Sequence, residues 1–202
     1  MSFKIIIDSC GELLEEWKKD SRYESVPLVL SVDGEDIIDD ETFNQKEFLE
    51  KVANSPNCPK SSCPSPERYM QAYDCDADHV YAVTLSAELS GSYNSAVLGR
   101  SLYQEEHPDK KIYVFNSRSA SIGETLIAMK IAECEEAGME FDAIVTTVED
   151  YIESQNTFFV LENLETLRKN GRLSRVKAFV ASALKIKPVM GSTKEGAICQ
   201  LD

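Results

Sequence analysis

Two stretches of the sequence concentrate hydroxyl side chains just ahead of a predicted helix. Lys60 to Ser65 (KSSCPS) precedes one helix, and Ser86 to Ser92 (SAELSGS) precedes another. The first turn of a helix carries free backbone N–H groups, and hydroxyls add further donors. Together they suit an anion. In an α/β sheet such loops lie at the carboxyl ends of strands, where ligands bind. The competing reading is that these serines only cap helices and satisfy turns. One loop alone favours that simpler reading; two loops leave both open.

The identity of the anion is narrowed by what the sequence lacks. It has no G-x-x-x-x-G-K-[ST] and no G-x-G-x-x-G after a strand. Gly171-Arg172-Leu173-Ser174 has the wrong spacing for a phosphate loop. A nucleotide site is therefore poorly supported, and a carboxylate or a small phosphate fits better. A serine nucleophile would need a positioned base. The two histidines are His79, at the start of a strand, and His107, in the exposed loop Glu105 to Lys110. Neither adjoins a serine loop, and both read as ordinary, partly exposed side chains.

Asp8 ends the first strand. It could orient a ligand, bind a metal or accept hydrogen bonds from a loop, the last being the commonest role. Asp39-Asp40-Glu41 reads as a solvated surface. Cys58, Cys63 and Cys75 with His79 and His107 make a zinc site conceivable. There is no C-x-x-C pair, however, and the six cysteines read better as scattered small apolar thiols.

These residues need elements to position them. The chain has 202 residues, 43% hydrophobic and 28% charged, which is globular and enough for one domain or one plus part of another. Its net charge of −14 excludes general nucleic-acid binding. No stretch reaches the apolar length of a membrane span. Met1 to Asp8 reads as a strand and not as a signal peptide, so the expected compartment is the cytoplasm with its cysteines reduced.

Phe3 to Ile7, Val26 to Val32, His79 to Leu85 and Lys111 to Phe115 read as strands. Asp33-Gly34 is a hairpin signal with Asp36 to Ile38 returning. Helices are expected from Gln45 to Ala53, capped by Asn44; after Ser65-Pro66; over Tyr93 to Glu106; over Ile122 to Ala137, closed by Gly138; and from Asp142. This alternation predicts an α/β N-terminal domain, residues 1–157, with a mostly parallel sheet flanked by helices. Residues 158–202 form a smaller, apparently truncated α/β second domain. It holds a strand Phe158 to Leu161, a helix Leu164 to Asn170, a helix capped by Ser174, and a hairpin around Lys194-Glu195-Gly196.

Six ordered segments carry a resemblance. They are Ile7-Asp8-Ser9, Val26-Pro27-Leu28, Lys60 to Ser65, Leu89 to Ala96, Gly171 to Ser174 and Leu184 to Pro188. The series spans the whole chain and resembles the DegV family of bacterial lipid-binding proteins. The resemblance implies a long-chain fatty acid in a tunnel between two domains and, in some members, its presentation to a fatty-acid kinase. It implies a binding protein with no cofactor and no catalysis of its own. The alternative is an enzyme, a phosphotransferase or a serine-dependent acyl hydrolase.

By the same resemblance, Ser61 matches the first hydroxyl of a T-S-x-P-S loop and Ser90 the serine of an L-S-G-T-Y loop. These two would hydrogen-bond the carboxylate, and Arg172, matching the arginine of G-G-R-[IL]-S, would add charge. With their neighbours they give the candidate ligand-binding set Ser61, Ser62, Ser90, Gly91, Ser92 and Arg172, with no metal ligand. The sequence departs from the pattern with Ser61 and Ser92 for Thr, Cys63 for Gln and Asn170 for Gly. Family members continue with a further portion that contains a histidine, which has no counterpart here. The expectation is a lid completed some other way or a chain that is a fragment. Phe158, Phe159, Phe179, Val180 and Leu184 would be partly uncovered, and the chain would self-associate.

Overall fold

The computed structural model describes residues 2–173 and 187–201. In chain order these form β1 (Phe3–Asp8), a 3-10 turn (Trp17–Lys19), β2 (Tyr23–Val26), β3 (Val29–Val32), β4 (Glu35–Ile38), α1 (Gln45–Asn54) and β5 (Lys60–Ser62). They continue through α2 (Pro66–Tyr73), β6 (His79–Thr84), α3 (Ser92–Glu106), β7 (Lys111–Asn116), α4 (Ile122–Glu136) and α5 (Phe141–Ser154). The remainder is β8 (Phe158–Phe159), α6 (Glu165–Lys169), β9 (Met190–Ser192) and β10 (Ile198–Gln200).

The first layer is a wholly parallel sheet in the order β2-β1-β6-β7. Both of its faces are covered. Ile5, Ile7, Tyr81, Val83 and Phe115 pack against Ile127, Ile131, Ile144 and Val148 of α4 and α5. The alternate residues Ile6, Val80, Ala82 and Val114 meet Tyr69, Tyr73, Ala96 and Tyr103 of α2 and α3. Continuous apolar strands such as FKIII follow from this two-sided burial. Because the strands run parallel, Asp8, Val26, Thr84 and Asn116 all emerge at one edge of the sheet.

The helix starts obey the local chemistry of the sequence. Asn44 Oδ1 accepts from the Glu47 N–H at 3.2 Å, and Ser65 Oγ accepts from the Arg68 N–H at 3.3 Å, with Pro66 in the first helical position. Gly138 ends α4 at φ +71°, in the left-handed region.

Two antiparallel sheets accompany the parallel one, β4-β3-β5 and β10-β9-β8. The first corrects the expectation of a single strand from Val26 to Val32. Pro27 has no N–H to give a ladder, and Ser9 Oγ takes the Leu28 N–H at 3.0 Å. The chain breaks there: Tyr23–Val26 stays beside β1, and Val29–Val32 turns away to pair with β4 and β5. The Asp33-Gly34 turn, at φ 52° and 85°, joins β3 to β4 as expected. Part of the first serine loop is itself strand, with Ser61 opposite Leu30.

The second small sheet has the expected β9–β10 hairpin, closed by Thr193 N–H to Ala197 C=O at 2.8 Å. Its strand β8 is shorter than the predicted Phe158 to Leu161. Leu164, Leu173, Met190 and Ile198 form its core, with Phe159 packed against them and Phe158 exposed. The helix expected after Ser174 lies outside the described residues, as do Phe179, Val180 and Leu184. No helix among the described residues is long and apolar enough to cross a membrane.

Candidate functional site

At the carboxyl edge of the parallel sheet, Asp8 is completely buried. Its Oδ2 accepts from the Leu85 N–H at 3.0 Å and from Ser92 Oγ at 2.6 Å, and its Oδ1 accepts from the Cys10 N–H at 3.1 Å. Leu85 follows β6 and Ser92 opens α3, so one carboxylate ties both ends of loop 85–92 to β1. Ser92 has a single hydroxyl proton and gives it to Asp8. Tyr69, 2.6 Å away on α2, must therefore donate to Ser92. Burial, followed by the Asp8 charge, pushes the Tyr69 phenol well above its ordinary range, which keeps it a donor.

The loop itself is pinned from both layers. Ser86 Oγ donates to the Gly196 carbonyl at 2.8 Å, and Leu89 packs against the core of the second small sheet. Ser90 Oγ accepts from the Ser92 N–H at 3.2 Å, which leaves its proton available to an acceptor. Gly91 is where the two serine loops approach: a Cβ there would lie 3.1 Å from Cys63 Sγ, which also faces Ser95 Oγ at 3.7 Å.

Arg172 spans the two loops. Its Nε donates to the Leu89 carbonyl at 2.9 Å, and its terminal nitrogen reaches Ser61 Oγ at 3.4 Å. The adjoining Asn170 donates to the Pro59 carbonyl at 2.9 Å. The structure thus brings together Ser61, Gly91 and Arg172, with Ser90 on the same loop as Leu89. Ser62, next along β5, points to the opposite face of its sheet and is exposed. Ser92 lies beneath the loop, with its hydroxyl taken by Asp8 and Tyr69.

Sequence reasoning passed over Tyr69, Leu85 and Glu124. Glu124, in the first turn of α4, is fully buried; its Oε1 accepts from the Ser121 N–H at 3.1 Å. Its Oε2 has no hydrogen-bond partner among the described residues. Gly11 makes room for it, since a Cβ at Gly11 would sit 2.5 Å from Ile7 Cγ2 and 3.0 Å from Glu124 Cβ. Burial, then the charges of Asp8 and Cys10, push the Glu124 carboxyl well above the carboxylate range. Burial also raises Asp8, but hydrogen bonds from Ser92, Leu85 and Cys10 oppose it. Asp8, Cys10 and Glu124 place donor atoms within 4.8 Å of one another, while the grouping of Cys58, Cys63, Cys75 and the histidines does not assemble among the described residues.

His79 is not the partly exposed side chain that its position suggested. It is 1% exposed, and its Nδ1 lies 2.7 Å from Glu135 Oε1, which also accepts from the Tyr81 hydroxyl at 2.7 Å. This pair lies at the opposite edge of the sheet from the serine loops. His107 ends α3, stacked on Tyr103 at 4.3 Å. In the expected solvated run, Asp39 and Asp40 are half-buried, accepting from Ser9 Oγ at 2.7 Å and from the Thr42 N–H at 2.9 Å, and only Glu41 is exposed.

A family model described as uncharacterised protein, DegV family, matches residues 2–202. The chain belongs to the DegV family. A DegV domain-containing protein of Streptococcus gordonii is 34% identical over 200 residues, covering 98% of this chain and 71% of that protein. Among solved structures, a DegV family protein from Ruminococcus gnavus refined with vaccenic acid is 59% identical, with a TM-score of 0.96 over 100% of this chain and 72% of that one. The Streptococcus pneumoniae fatty acid kinase (Fak) B3 protein loaded with linoleic acid is 32% identical, with a TM-score of 0.90 over 100% and 72%.

Proposed function

We propose that this DegV protein binds one long-chain fatty acid. Ser61, Ser90 and Arg172 hold its carboxylate, and the acyl chain runs in an apolar tunnel between the parallel-sheet layer and the second small sheet. The observation that carries the reading is Arg172, whose guanidinium spans the two hydroxyl loops, Ser61 on one and the Leu89 carbonyl on the other. A guanidinium and two hydroxyls form a donor set for a carboxylate. A buried carboxylate is costly unless hydrogen-bonded, and charge-assisted bonds contribute roughly 1.5–3 kcal/mol each. Each buried methylene of the tail adds about 0.8 kcal/mol.

The fatty acids held by the relatives from Ruminococcus gnavus and Streptococcus pneumoniae support the same ligand class. The likeness to the kinase-associated protein supports a carrier that presents the acyl carboxylate to a separate kinase. In this reading the chain performs no catalysis. Both histidines are held away from Ser90, so neither supplies the base that a serine nucleophile needs. Ser92 and Tyr69 act beneath the site as positioning residues, and Gly91 lets the loops meet.

Mass spectrometry of lipid released from the denatured protein, followed by titration of the delipidated protein, tests the proposal. One saturated or monounsaturated fatty acid per chain is expected. Failure of every long-chain fatty acid to bind would refute it.

A further inference from the structure

We propose that Asp8 and Glu124 share one buried proton, carried by Glu124 and donated to Asp8, and that this proton holds loop 85–92 in its ligand-binding position. Glu124 is then a positioning residue, acting through Asp8. Its role in binding rests on the fatty-acid reading above; the shared proton itself does not.

The two carboxyl groups are both fully buried, yet their surroundings differ. Asp8 receives three donors, from Cys10, Leu85 and Ser92. Among the described residues Glu124 receives one, from Ser121, and its Oε2 has no hydrogen-bond partner. A buried carboxylate oxygen without a donor is costly, and two facing carboxylates repel. One proton on Glu124 Oε2 removes both problems. The orphaned oxygen becomes a donor, the nearest carboxylate becomes its acceptor, and the cluster carries one negative charge in place of two.

Among the described residues no cation faces Glu124, and the Cys10 thiol beside it is only a weak hydrogen-bond donor. Asp8 stands at the end of β1, Cys10 lies on the loop after it, and Tyr69 comes from α2. Asp39 lies beyond Cys10. All of these are acidic or neutral. Burial as the leading cause of the raised Glu124 carboxyl agrees with a neutral acid at ordinary pH.

The proton matters to the site because Asp8 is the anchor of the loop. Loss of the proton sets two negative groups against each other inside the protein. Asp8 can retreat only by dragging the Leu85 N–H and Ser92 Oγ. Ser92 holds Ser90 through its N–H, and the Leu89 carbonyl holds Arg172. Deprotonation at Glu124 therefore loosens the two hydroxyl loops from each other.

The test compares wild type with Glu124→Gln, whose amide keeps a donor but cannot ionise. In wild type the folded form holds the proton to higher pH than the unfolded chain does. Stability from this group is therefore complete below the ordinary carboxylate range and is lost as pH rises toward the folded value. The unfolding equilibrium should shift by about tenfold per pH unit over that window. In urea titrations across pH, Glu124→Gln should lack this slope, and its fatty-acid affinity should hold at alkaline pH where that of wild type falls. Infrared spectra of the wild type at neutral pH should show a carboxylic-acid carbonyl band that shifts in heavy water, a readout that needs no variant. Parallel pH slopes for the two proteins, or no such band, would overturn the proposal. A bound metal ion whose removal by a chelator destabilises the wild type would also overturn it. If neither protein binds fatty acid at any pH but the stability slopes differ, the shared proton stands and the fatty-acid reading falls.

Discussion

Replacement of Ser92 by alanine isolates the innermost part of the site. Its hydroxyl donates to the Asp8 carboxylate at 2.6 Å and accepts from the Tyr69 hydroxyl at 2.6 Å, and all three residues are completely buried. The substitution removes a charge-assisted donor, at about 1.5–3 kcal/mol, and leaves the Tyr69 hydroxyl unpaired, at about 1–3 kcal/mol. A loss of roughly 2.5–6 kcal/mol is expected from urea unfolding, as a lower midpoint at unchanged slope. Tyr69→Phe alone should cost less, about 0.5–1.5 kcal/mol, because Ser92 keeps its bond to Asp8. In the double variant the orphaned phenol no longer exists and the Tyr69–Ser92 bond is not lost twice, so the combined loss should fall short of the sum by about 1.5–4.5 kcal/mol. Additivity to within about 0.5 kcal/mol would refute the chain Tyr69 to Ser92 to Asp8.

Other outcomes follow from the same geometry. Ser61→Ala and Ser90→Ala should each weaken fatty-acid binding by about 1–3 kcal/mol in calorimetric titration, with circular dichroism unchanged. Arg172→Gln should weaken it by about 1.5–3 kcal/mol, with a smaller effect on an uncharged ester. Gly99→Ala would place a methyl 2.6 Å from the Pro66 carbonyl oxygen and 3.1 Å from Tyr69 Cβ, so α2 and α3 must part. A loss of about 1–3 kcal/mol in urea unfolding is expected. Glu135→Ala orphans His79 and the Tyr81 hydroxyl and should cost roughly 2–4 kcal/mol of stability. Because that pair sits at the far edge of the sheet, fatty-acid affinity should be unchanged.

Local chemistry made much of the fold legible. Asn44, Ser65, the Asp33-Gly34 turn and Gly138 each act through contacts a few residues away, and each stands where the sequence put it. The unbroken apolar runs of β1 and β6 announced a sheet covered on both faces. The break at Pro27 was less visible, because apolar residues continue on both sides of it. Tertiary bonds around Pro27, among them Leu28 N–H to Ser9 Oγ, show where the chain leaves one sheet for another.

Within the site, the serine loops stood out because hydroxyls clustered ahead of helices. Their supports did not. Glu124 is buried because Gly11, more than a hundred positions earlier, leaves space for it, and His79 because Glu135 comes to it from α4. Burial of this kind is decided by packing between distant segments, and no spacing rule records it. Ser92 and Ser90 look alike in sequence, yet two residues separate a hydroxyl committed to Asp8 from one with a proton to give.

In the proposed site Ser61, Ser90 and Arg172 recognise a carboxylate at the head of an acyl chain. A competitive titration of the delipidated protein with vaccenic acid and its methyl ester tests it most directly. The two ligands share the tail and differ in the charged head. Loss of even one charge-assisted bond corresponds to at least about a tenfold difference in affinity. The acid should bind, and the ester should bind at least about tenfold more weakly. Equal binding of acid and ester would show that the hydroxyl loops and Arg172 do not hold the head group.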